Sequence, residues 1–337
     1  MPSIPPATIA DVAKKAGVSI ATVSRVVNGN TPVISATAER VQAAIADLNY
    51  VPRAAARVLA SRRTNALGLL LPEIGGWFFP SMLRGIEAAA REAGFDLLIH
   101  TVEASYPLNA SRRALGMHNT DGLIIFTNSV EKTSLVHLRQ SGFPIVLLHQ
   151  TPPETLDIPV ITIENKSGAQ KLVDHLIEVH HCRRIAFLQG PDGHEDSEWR
   201  ERGYRESLEA LDIPFEPSLV AIGKFDEVSA AAAVDQWLVD GLDFDALFSG
   251  DDDAAIGVLS ALQRAGRRIP DDVAVVGFDD VPVARFLSPP LTTVRAPTEQ
   301  VGREAVGQLV RLIRGERPEP LILLPTELVI RKSCGCS

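Results

Sequence analysis

Side chains that could bind a polar ligand recur directly after the apolar runs of this chain. The members of this set are Trp77, Phe78, Phe79, Thr127, His149, Asp251 and Asp279. Aromatic faces stack on a ring-shaped ligand, and carboxylate oxygens accept its hydroxyl protons. Any one of the aspartates could instead be a turn or capping residue, because loops between strands and helices favour Asp for local hydrogen bonds. Their recurrence at the same position favours a site for a small molecule such as a sugar.

The chain shows no recognisable catalytic arrangement. It contains no Gly-x-Ser-x-Gly nucleophile motif, no glycine-rich phosphate loop ending in Lys-Ser or Lys-Thr, and no His-Glu-x-x-His pair. The carboxylates that follow the strands stand in capping contexts rather than as a pair facing each other. We therefore expect no enzymatic activity and no cofactor.

The elements that would position this set alternate along the chain from Ala66 onward. Short apolar runs, typical of buried strands, alternate with helical stretches such as residues 82–93. The runs are 66–71, 95–101, 122–126, 144–148, 184–188, 246–248 and 273–278. The alternation predicts an α/β fold with doubly wound parallel sheets, and about ten strands fit two sheets better than one. Ligands bind beyond the carboxyl ends of such strands, where the set lies.

The start of the chain has the pattern of two short, closely linked helices. Thr8 can cap a helix over residues 9–16, Gly17 can end it, and Ser19 can cap a second helix over residues 20–28. The link is so short that the two helices must cross steeply. This is the geometry of a helix-turn-helix, which projects its second helix into a DNA groove.

The outward face of the second helix carries side chains that suit a major groove. They are Ala21, Thr22, Ser24, Arg25 and Asn28. Short hydroxyl groups can bond phosphates, and Arg25 can read guanine O6 and N7. A third helix, capped by Ser35 and ending at Leu48, would close a miniature core. Helix spacing alone leaves open a structural three-helix bundle with no role in DNA binding.

Charge is divided unequally along the chain. The net charge is −9, which alone argues against a nucleic-acid partner. Residues 1–63, however, hold eight Lys and Arg against three Asp and Glu, so they carry +5 and the remainder carries −14. A basic head on an acidic body is expected where only the head approaches phosphates, although a solvated basic face would have the same composition.

The cysteines and the apolar runs favour a reducing, cytoplasmic environment. Cys182, Cys334 and Cys336 are the only cysteines, and the Cys-x-Cys pair lacks the paired spacing and nearby histidines of a zinc site. We interpret His180 and His181 as cationic residues at the negative end of a helix dipole, not as metal ligands. No run approaches the ~20 apolar residues of a membrane span, and no secretory signal is recognisable. We therefore expect a cytoplasmic protein without a bound metal.

The N-terminal residues also carry a resemblance to a known family. Residues 8–28, TIADVAKKAGVSIATVSRVVN, closely resemble the opening of the lactose repressor and galactose repressor family of bacterial transcriptional regulators. So do LNYVP at 48–52 and RAAARVLA at 53–60. The resemblance implies that 53–60 becomes a hinge helix on operator DNA and that Leu59 inserts into a minor-groove step, which bends the duplex. Without the resemblance, this segment would be an alanine-rich linker helix.

The resemblance assigns further residues to DNA binding. Family members usually read bases with the first two side chains of the recognition helix and a following arginine, here Ile20, Ala21 and Arg25. The side chains of Ile20 and Ala21 cannot donate hydrogen bonds, so they would touch thymine methyls while Arg25 supplies polar readout. The expected DNA-binding residues are Thr8, Ser19, Ile20, Ala21, Thr22, Ser24, Arg25, Asn28, Tyr50, Arg57 and Leu59.

The body resembles the same family over nearly its whole length. The matching segments include DGLII at 121–125, HLI at 175–177, VVGFDD at 275–280, PLTT at 290–293 and RKSCGC at 331–336. In the family this part looks like a periplasmic sugar-binding protein, with a ligand between two lobes joined by three crossovers. The crossovers would lie near Asn165, 294–297 and 320–325. The implied ligand contacts are Phe78, Phe79, Arg200, Phe225, Asp251 and Asp279.

Three segments depart from the family pattern. The usual Asn-Asp pair after one strand is Asp251-Asp252 here, which would suit a ligand with more donors or a positive charge. The usual Gly-His pair is His181-Cys182, which loses a helix-ending glycine. The acidic loop 192–198 lacks the spacing of a calcium loop, so we interpret it as the rim of the ligand cleft.

Together these patterns predict a repressor with three parts. They are a headpiece over 1–51, a hinge helix over 52–63, and an effector-binding and dimerisation domain over 64–337 with lobes at 64–165 plus 296–320 and at 166–294 plus 325–337. We expect a homodimer, or a tetramer, on a pseudo-palindromic double-stranded operator. A sugar in the cleft would shift the protein between two states. A corepressor-type regulator of a non-sugar metabolite, and a solute-binding protein that shares only the body, stay open as alternatives.

Overall fold

The described part of the chain folds into two compact units that divide between Asn65 and Ala66. The computed structural model describes residues 7–28, 33–50, 63–102, 115–153 and 156–336. In the first unit, which we call the headpiece, helices α1, α2 and α3 span Ile9–Ala16, Ile20–Asn28 and Ser35–Asp47. The hinge residues Arg57 and Leu59, and the side chain of Asn28, lie outside the described residues.

Local hydrogen bonds set the ends of the first two helices as predicted. Thr8 and Asp11 form a capping box, in which the Thr8 amide donates to Asp11 Oδ2 at 2.9 Å and the Asp11 amide donates to Thr8 Oγ1 at 3.4 Å. Gly17 ends α1 with a left-handed φ of 64°. Ser19 Oγ accepts from the Thr22 amide at 3.2 Å and so caps α2.

The start of α3 differs from the prediction. Ser35 is the first helical residue, and Ile34 occupies the capping position without a side-chain hydrogen bond. The Ser35 hydroxyl instead donates to Glu39 Oε1 at 2.9 Å, one turn into the helix. Because the Ile34 side chain has no hydrogen-bonding group, the free amides of the first turn have no side-chain acceptor from the capping position.

The three helices bury one small core, with the predicted inward faces. Its buried members are Val12, Ala13, Ala16, Val23, Val41, Ala44 and Tyr50, with Val26, Val27, Ile45 and Leu48 packed around them. A surface ion pair between Lys15 Nζ and Asp47 Oδ2, 2.9 Å apart, joins α1 to the end of α3. The headpiece therefore holds α2 from one side only and leaves its other face to solvent.

The second unit contains two parallel sheets, which confirms the predicted α/β architecture. The strands are β1 Ala66–Leu71, β2 Asp96–Thr101, β3 Gly122–Phe126, β4 Ile145–Leu148, β5 Val160–Ile163, β6 Ile185–Gln189, β7 Val220–Ile222, β8 Ala246–Ser249, β9 Ala274–Val276, β10 Thr293–Arg295, β11 Leu321–Leu324 and β12 Glu327–Val329. The first lobe has the order β11-β5-β4-β3-β1-β2, and the second has β7-β6-β8-β9. Strands β10 and β12 pair antiparallel in a separate ribbon.

Helices flank both sheets. They are α4 Phe79–Glu92, α5 Lys132–Gln140, α6 Asn165–Glu178, α7 Glu195–Ala210, α8 Glu227–Val239, α9 Asp252–Arg264 and α10 Thr298–Ile313. Helix α4 begins at Phe79 rather than at the predicted Met82, because Pro80 fits a first helical turn, where its missing N–H is not needed. Among the described residues, no helix is long and apolar enough to cross a membrane.

The chain passes between the two sheets three times. It does so after β5, before α10 and after β11. Residues 320–325 were expected to form the third crossover, but Leu321–Leu324 pairs with β5 and extends the first sheet. The short strands Val160–Ile163 and Val220–Ile222 could not be predicted from the sequence, because so short an apolar run is also compatible with a helix or a loop.

Candidate functional site: a DNA-reading helix and a ligand cleft

Helix α2 presents the predicted DNA-reading face to solvent. Ile20 is 52% exposed and Ala21 and Arg25 are exposed, whereas Val23 is fully buried in the headpiece core. Thr22 is half-buried at the flank of this face. Since an α-helix fits a major groove, this face can approach base edges without unfolding the core.

Other predicted DNA-binding residues also have structural roles. The hydroxyls of Thr8 and Ser19 cap α1 and α2, so both lie at helix N-termini, which attract phosphates. Ser24 is half-buried on α2. Tyr50 packs in the headpiece core and is 9% exposed, so its contact with DNA stays a prediction.

A cavity of about 390 Å³, which we call the ligand cleft, is lined by residues of both lobes. Its volume falls within the ~300–1,000 Å³ typical of small-molecule sites. The predicted residues that line it are Phe78, Phe79, Thr127, Arg200, Phe225, Asp251 and Asp279. Residues outside the predicted ligand contacts also line it, among them Glu73, Phe126, Asn128, His194, Asp196, Lys224 and Asp253.

Two predicted ligand residues do not line the ligand cleft. Trp77 is 46% exposed and lines a neighbouring cavity together with Phe78 and Asp279. His149 is 1% exposed, and its ring centroid lies 6.1 Å from that of Phe78 and 5.2 Å from that of Phe126. The imidazole therefore stands behind the aromatic wall of the cleft, where it can position other residues.

Arg200 is the centre of a buried hydrogen-bond network in the cleft. Its Nε donates to Asn165 Oδ1 at 2.9 Å, its Nη1 to the Gly250 carbonyl at 2.7 Å, and its Nη2 to Asp279 Oδ1 at 3.1 Å. The guanidinium carbon lies 3.9 Å from the ring centroid of Phe278. Since these partners come from separate elements, the planar guanidinium is held in one orientation.

Asp196 connects the two lobes through His149. Its Oδ2 lies 2.8 Å from His149 Nδ1, and its Oδ1 accepts from Asn165 Nδ2 at 2.8 Å. His149 follows β4 in the first lobe, whereas Asp196 lies in the first turn of α7 in the second. Burial would raise the pKa of Asp196, but His149, together with Arg200, lowers it to about 2. Asp196 is therefore ionised at neutral pH.

The aspartates after β8 combine structural and ligand-facing positions. Asp251 Oδ1 accepts from the Ala254 amide at 2.9 Å and caps α9, yet the residue also lines the ligand cleft. Asp252 accepts from Thr293 Oγ1 at 2.6 Å and from the Val281 amide at 2.9 Å. Asp252 therefore ties the start of α9 to β10 and to the loop after β9, while Asp251 can serve both as a cap and as a ligand contact.

Burial raises the pKa values of two acidic groups in the cleft. It raises the pKa of Asp251 well above its usual range, and the neighbouring Asp279 adds to the rise. Burial also raises the pKa of Asp279, although Arg200 partly offsets this. Both carboxyls thus hold a proton more readily than exposed aspartates do.

Asp253 and Glu195 form two further contacts between the lobes. Asp253 Oδ2 accepts from the Trp77 amide at 2.9 Å. Trp77 precedes α4, which has no side-chain cap of its own, so a carboxylate of the opposite lobe supplies an acceptor near that helix N-terminus. Glu195 Oε2 accepts from the Thr151 amide at 2.5 Å. With the pair of His149 and Asp196, these contacts hold the lobes in a closed arrangement.

Gly76→Ala is expected to weaken this closed arrangement. Gly76 has a φ of +69°, and a Cβ there would lie 2.5 Å from Asp253 Oδ2. A left-handed backbone costs other residues about 1–2 kcal/mol, and the displaced carboxylate would lose the Trp77 amide. Small-angle scattering should therefore show a larger radius of gyration for this variant.

Gly75→Ala is the matched control for this experiment. A Cβ at Gly75 meets no atom closer than Glu73 Oε2 at 3.7 Å, and no left-handed φ is required. We expect G75A to keep the radius of gyration of the native protein. Equal expansion of both variants would contradict a specific role for the Asp253 contact.

His194 is expected to make stability depend on pH. It precedes α7, lines the ligand cleft, and has its pKa lowered to about 4 by burial. The unfolded chain, with a histidine pKa near 6.5, binds the proton more tightly than the folded chain does. The contribution of His194 to the free energy of unfolding is therefore fully present above about pH 6.5. It decreases as the pH drops toward 4, by about 2 kcal/mol between pH 7 and pH 5.

Urea unfolding of the native protein and of His194→Gln at both pH values would measure this difference. The glutamine variant should lose about 2 kcal/mol less than the native protein on acidification. His137 is exposed, so His137→Gln is the control and should leave the pH dependence unchanged. Parallel pH profiles for native protein and H194Q would show that His194 is not the responsible group.

Sequence reasoning missed Asp196, Asp253 and the network role of Asn165. One signal could have found Asp196: it lies four residues before Arg200, so the two share a helix face, and their side chains are 4.0 Å apart. The loop 192–198 was interpreted only as a cleft rim, but α7 begins within it, at Glu195. For Asp253 and Asn165, partners more than thirty residues away decide the role.

These features define a class of protein: a DNA-reading helix-turn-helix in one chain with a two-lobed domain that encloses a small cleft lined by aromatic and charged side chains. Residues 8–53 match the bacterial regulatory proteins of the lacI family, and residues 173–334 match the periplasmic binding protein-like domain. The HTH-type transcriptional regulator CelR of Thermobifida fusca is 36% identical over 335 residues, which is 97% of this chain and 98% of that protein. The chain belongs to the lacI family and is a DNA-binding transcriptional regulator.

Solved structures agree with this assignment. The transcriptional regulator CelR–cellobiose complex has a TM-score of 0.74 and 34% identity, and the match covers 97% of this chain and 99% of that one. The Lac repressor dimer bound to operator and the anti-inducer ONPF has a TM-score of 0.85 and 29% identity, with 98% and 99% covered. The match to both structures includes the headpiece and the two lobes.

Proposed function

We propose that this chain is a repressor whose affinity for its operator is controlled by a sugar bound in the ligand cleft. The observation that carries the proposal is the lining of that cleft, where aromatic rings face buried hydrogen-bonding groups. Phe78 and Phe225 offer apolar faces for a sugar ring, while Arg200 and Asp279 offer an oriented donor and acceptor. His194 Nδ1 is buried without a partner among the described residues, so it is available to a ligand hydroxyl.

Asp251 in place of the family's usual asparagine does not require a cationic ligand. Its pKa is raised well above the usual range by burial and by Asp279. A carboxyl that keeps its proton offers one O–H donor and one carbonyl acceptor, as an amide side chain offers donors and an acceptor. Of the two alternatives that the sequence left open, a ligand with more donors and a ligand with a positive charge, we therefore favour the first, as a neutral, hydroxyl-rich ligand.

The DNA-binding half of the proposal is a homodimer in which two headpieces occupy successive major-groove half-sites. The solvent-facing side chains of α2, above all Ile20, Ala21 and Arg25, would read bases, with Leu59 of residues 52–63 between the half-sites. Residues 64–337 would bind the effector and hold the dimer together. One headpiece buries too little surface to bind tightly, so two in one dimer multiply the affinity. Sedimentation of the full chain distinguishes a dimer from a tetramer.

Fluorescence anisotropy with an operator selected from random DNA tests both halves. The full chain should bind a palindromic site, and one member of a panel of mono- and disaccharides, cellobiose included because it is present in the CelR complex, should change that affinity. Failure to select any palindromic site would contradict the DNA-binding half. If the chain binds a palindromic site but responds only to a non-sugar metabolite, the proposed sugar effector is wrong, whereas the role as a transcriptional regulator stands.

A further inference from the structure

Four side chains that could bind a metal meet outside the ligand cleft. They are His175, in the last turn of α6, His180, just after that helix, and Cys334 and Cys336 near the end of the chain. One ligand atom from each of the four lies within 4.8 Å of all the others. The Cys-x-Cys pair has no histidine close to it along the sequence, but the fold brings His175 and His180 to it.

Four of the six separations between these atoms are close to those of a tetrahedral site. His175 Nε2 and His180 Nε2 are 3.2 Å apart, and Cys336 Sγ lies 3.6 Å from the first and 3.4 Å from the second. Cys334 Sγ lies 3.7 Å from His175 Nε2. Tetrahedral zinc with bonds of about 2.05 Å to nitrogen and 2.3 Å to sulfur requires separations of about 3.3 Å between nitrogens and 3.6 Å between nitrogen and sulfur.

The backbone around the cysteines is shaped to aim both thiols at the histidines. Gly335, between them, has a φ of +107°, and a Cβ there would lie only 3.2 Å from two atoms of the His180 ring. The left-handed turn therefore favours glycine, and any larger residue would push the His180 ring away by a few tenths of an ångström. Ser333 anchors the segment, because its hydroxyl accepts from the Thr292 amide at 2.8 Å and donates to the Val275 carbonyl at 2.5 Å.

We propose that His175, His180, Cys334 and Cys336 form a structural Zn²⁺ site that fastens the C-terminal segment to the end of α6. Two thiolates and two imidazoles form a ligand set that zinc prefers, and four protein ligands leave no open position for a substrate or water. In this site both histidines are neutral ligands. His180 is then not the cationic helix-ending residue that the sequence indicated.

Two neighbouring residues provide matched controls. Cys182 is a third cysteine, buried close to the site, but its Sγ makes only a 4.0 Å contact to the His180 carbonyl and does not belong to the four-residue group. His181 follows His180 directly, is exposed, and has a φ of 57°, which asparagine tolerates. The variants Cys182→Ala and His181→Asn should therefore keep the metal.

Metal analysis of tag-free full-length protein, purified under reducing conditions without a chelator, tests the proposal. We expect one zinc per chain by mass spectrometry. Replacement by Co²⁺ should give the visible bands of tetrahedral cobalt and a thiolate-to-cobalt charge-transfer band. A zinc chelator should lower the melting temperature of the second unit by about 5–15 °C. The double variant C334S/C336S should bind no zinc, while C182A and H181N bind one.

Several results would overturn the proposal. Reduced, folded native protein that takes up neither Zn²⁺ nor Co²⁺ would do so, as would an octahedral cobalt spectrum without a charge-transfer band. The proposal would also be overturned if C334S/C336S held as much zinc as the native protein, or if protein isolated under reductant contained a disulfide between Cys334 and Cys336. If the double variant fails to fold, the cobalt spectrum of the native protein decides the question.

Discussion

Replacing Arg200 with methionine is expected to abolish the response to the effector and to lower the free energy of unfolding by about 3–5 kcal/mol. Methionine keeps much of the aliphatic volume but removes the charge that Asp279 and Asp196 share. Both carboxylates are buried, so each would lose a cationic neighbour in surroundings that solvate charge poorly. The guanidinium also orients Asn165, hence the loss would disturb the cleft as a whole. Urea unfolding measures the first effect, and operator binding with and without effector measures the second.

Arg205→Met is the control on the same helix. Arg205 is exposed and pairs with Glu201 one turn away, at 2.6 Å, so its removal should cost less than about 1 kcal/mol. The double variant R200M/D279N removes both charges of the buried pair, and it should recover part of the stability without restoring the effector response. If R200M were no less stable than R205M, the buried network would not be the source of stability that its geometry indicates.

Replacing Arg25 with methionine is expected to weaken operator binding by about 1–3 kcal/mol for each headpiece, or at least about 30-fold for a dimer. Arg25 is the long, charged side chain on the exposed face of α2, where it can donate two hydrogen bonds to guanine. The same change should relax the preference for one base pair in each half-site. Anisotropy titrations against the selected operator and its single-base variants measure both effects.

Arg40→Met is the control for charge alone. Arg40 is exposed on α3, outside the predicted recognition face, and its loss removes the same charge from the headpiece. We expect R40M to lower the affinity for specific and for non-specific DNA equally and only slightly, because it loses part of the salt-dependent attraction to phosphates. If R25M also lowered the affinity for specific and for non-specific DNA equally, Arg25 would contact phosphate and not a base.

The sequence by itself determined the three helices of the headpiece. The capping box of Thr8 and Asp11, the left-handed Gly17 and the cap at Ser19 all lie within a few residues of the helix ends that they form. Such hydrogen bonds depend on short-range chain geometry, so residue type and spacing are enough to predict them. Ser35 is the exception, because the helix begins at this residue and its hydroxyl donates to Glu39 instead of capping the helix.

The sequence also located the ligand cleft, although it did not determine which side chains reach it. The carboxyl ends of parallel strands share an edge, and that topology brought Phe78, Thr127, Asp251 and Asp279 together as expected. Trp77 and His149 follow strands in the same way but point elsewhere, since the turn after each strand decides the direction. His149, for example, has a left-handed φ of 57°.

Only the tertiary structure decided the contacts between distant residues. Asp196 pairs with His149 across the cleft, and Asp253 accepts a hydrogen bond from the Trp77 amide 176 positions away. Strand β11 pairs with β5 after the chain has passed through the second lobe and returned. The convergence of two histidines with the Cys-x-Cys pair belongs to the same group. The periodicity of apolar residues indicates which face of an element is buried, but it does not indicate which residues that face contacts. The sheet edge at which the cleft lies was therefore readable from the sequence, whereas the side chains that line it, the buried charge network, the closed lobes and the candidate zinc site required the folded chain.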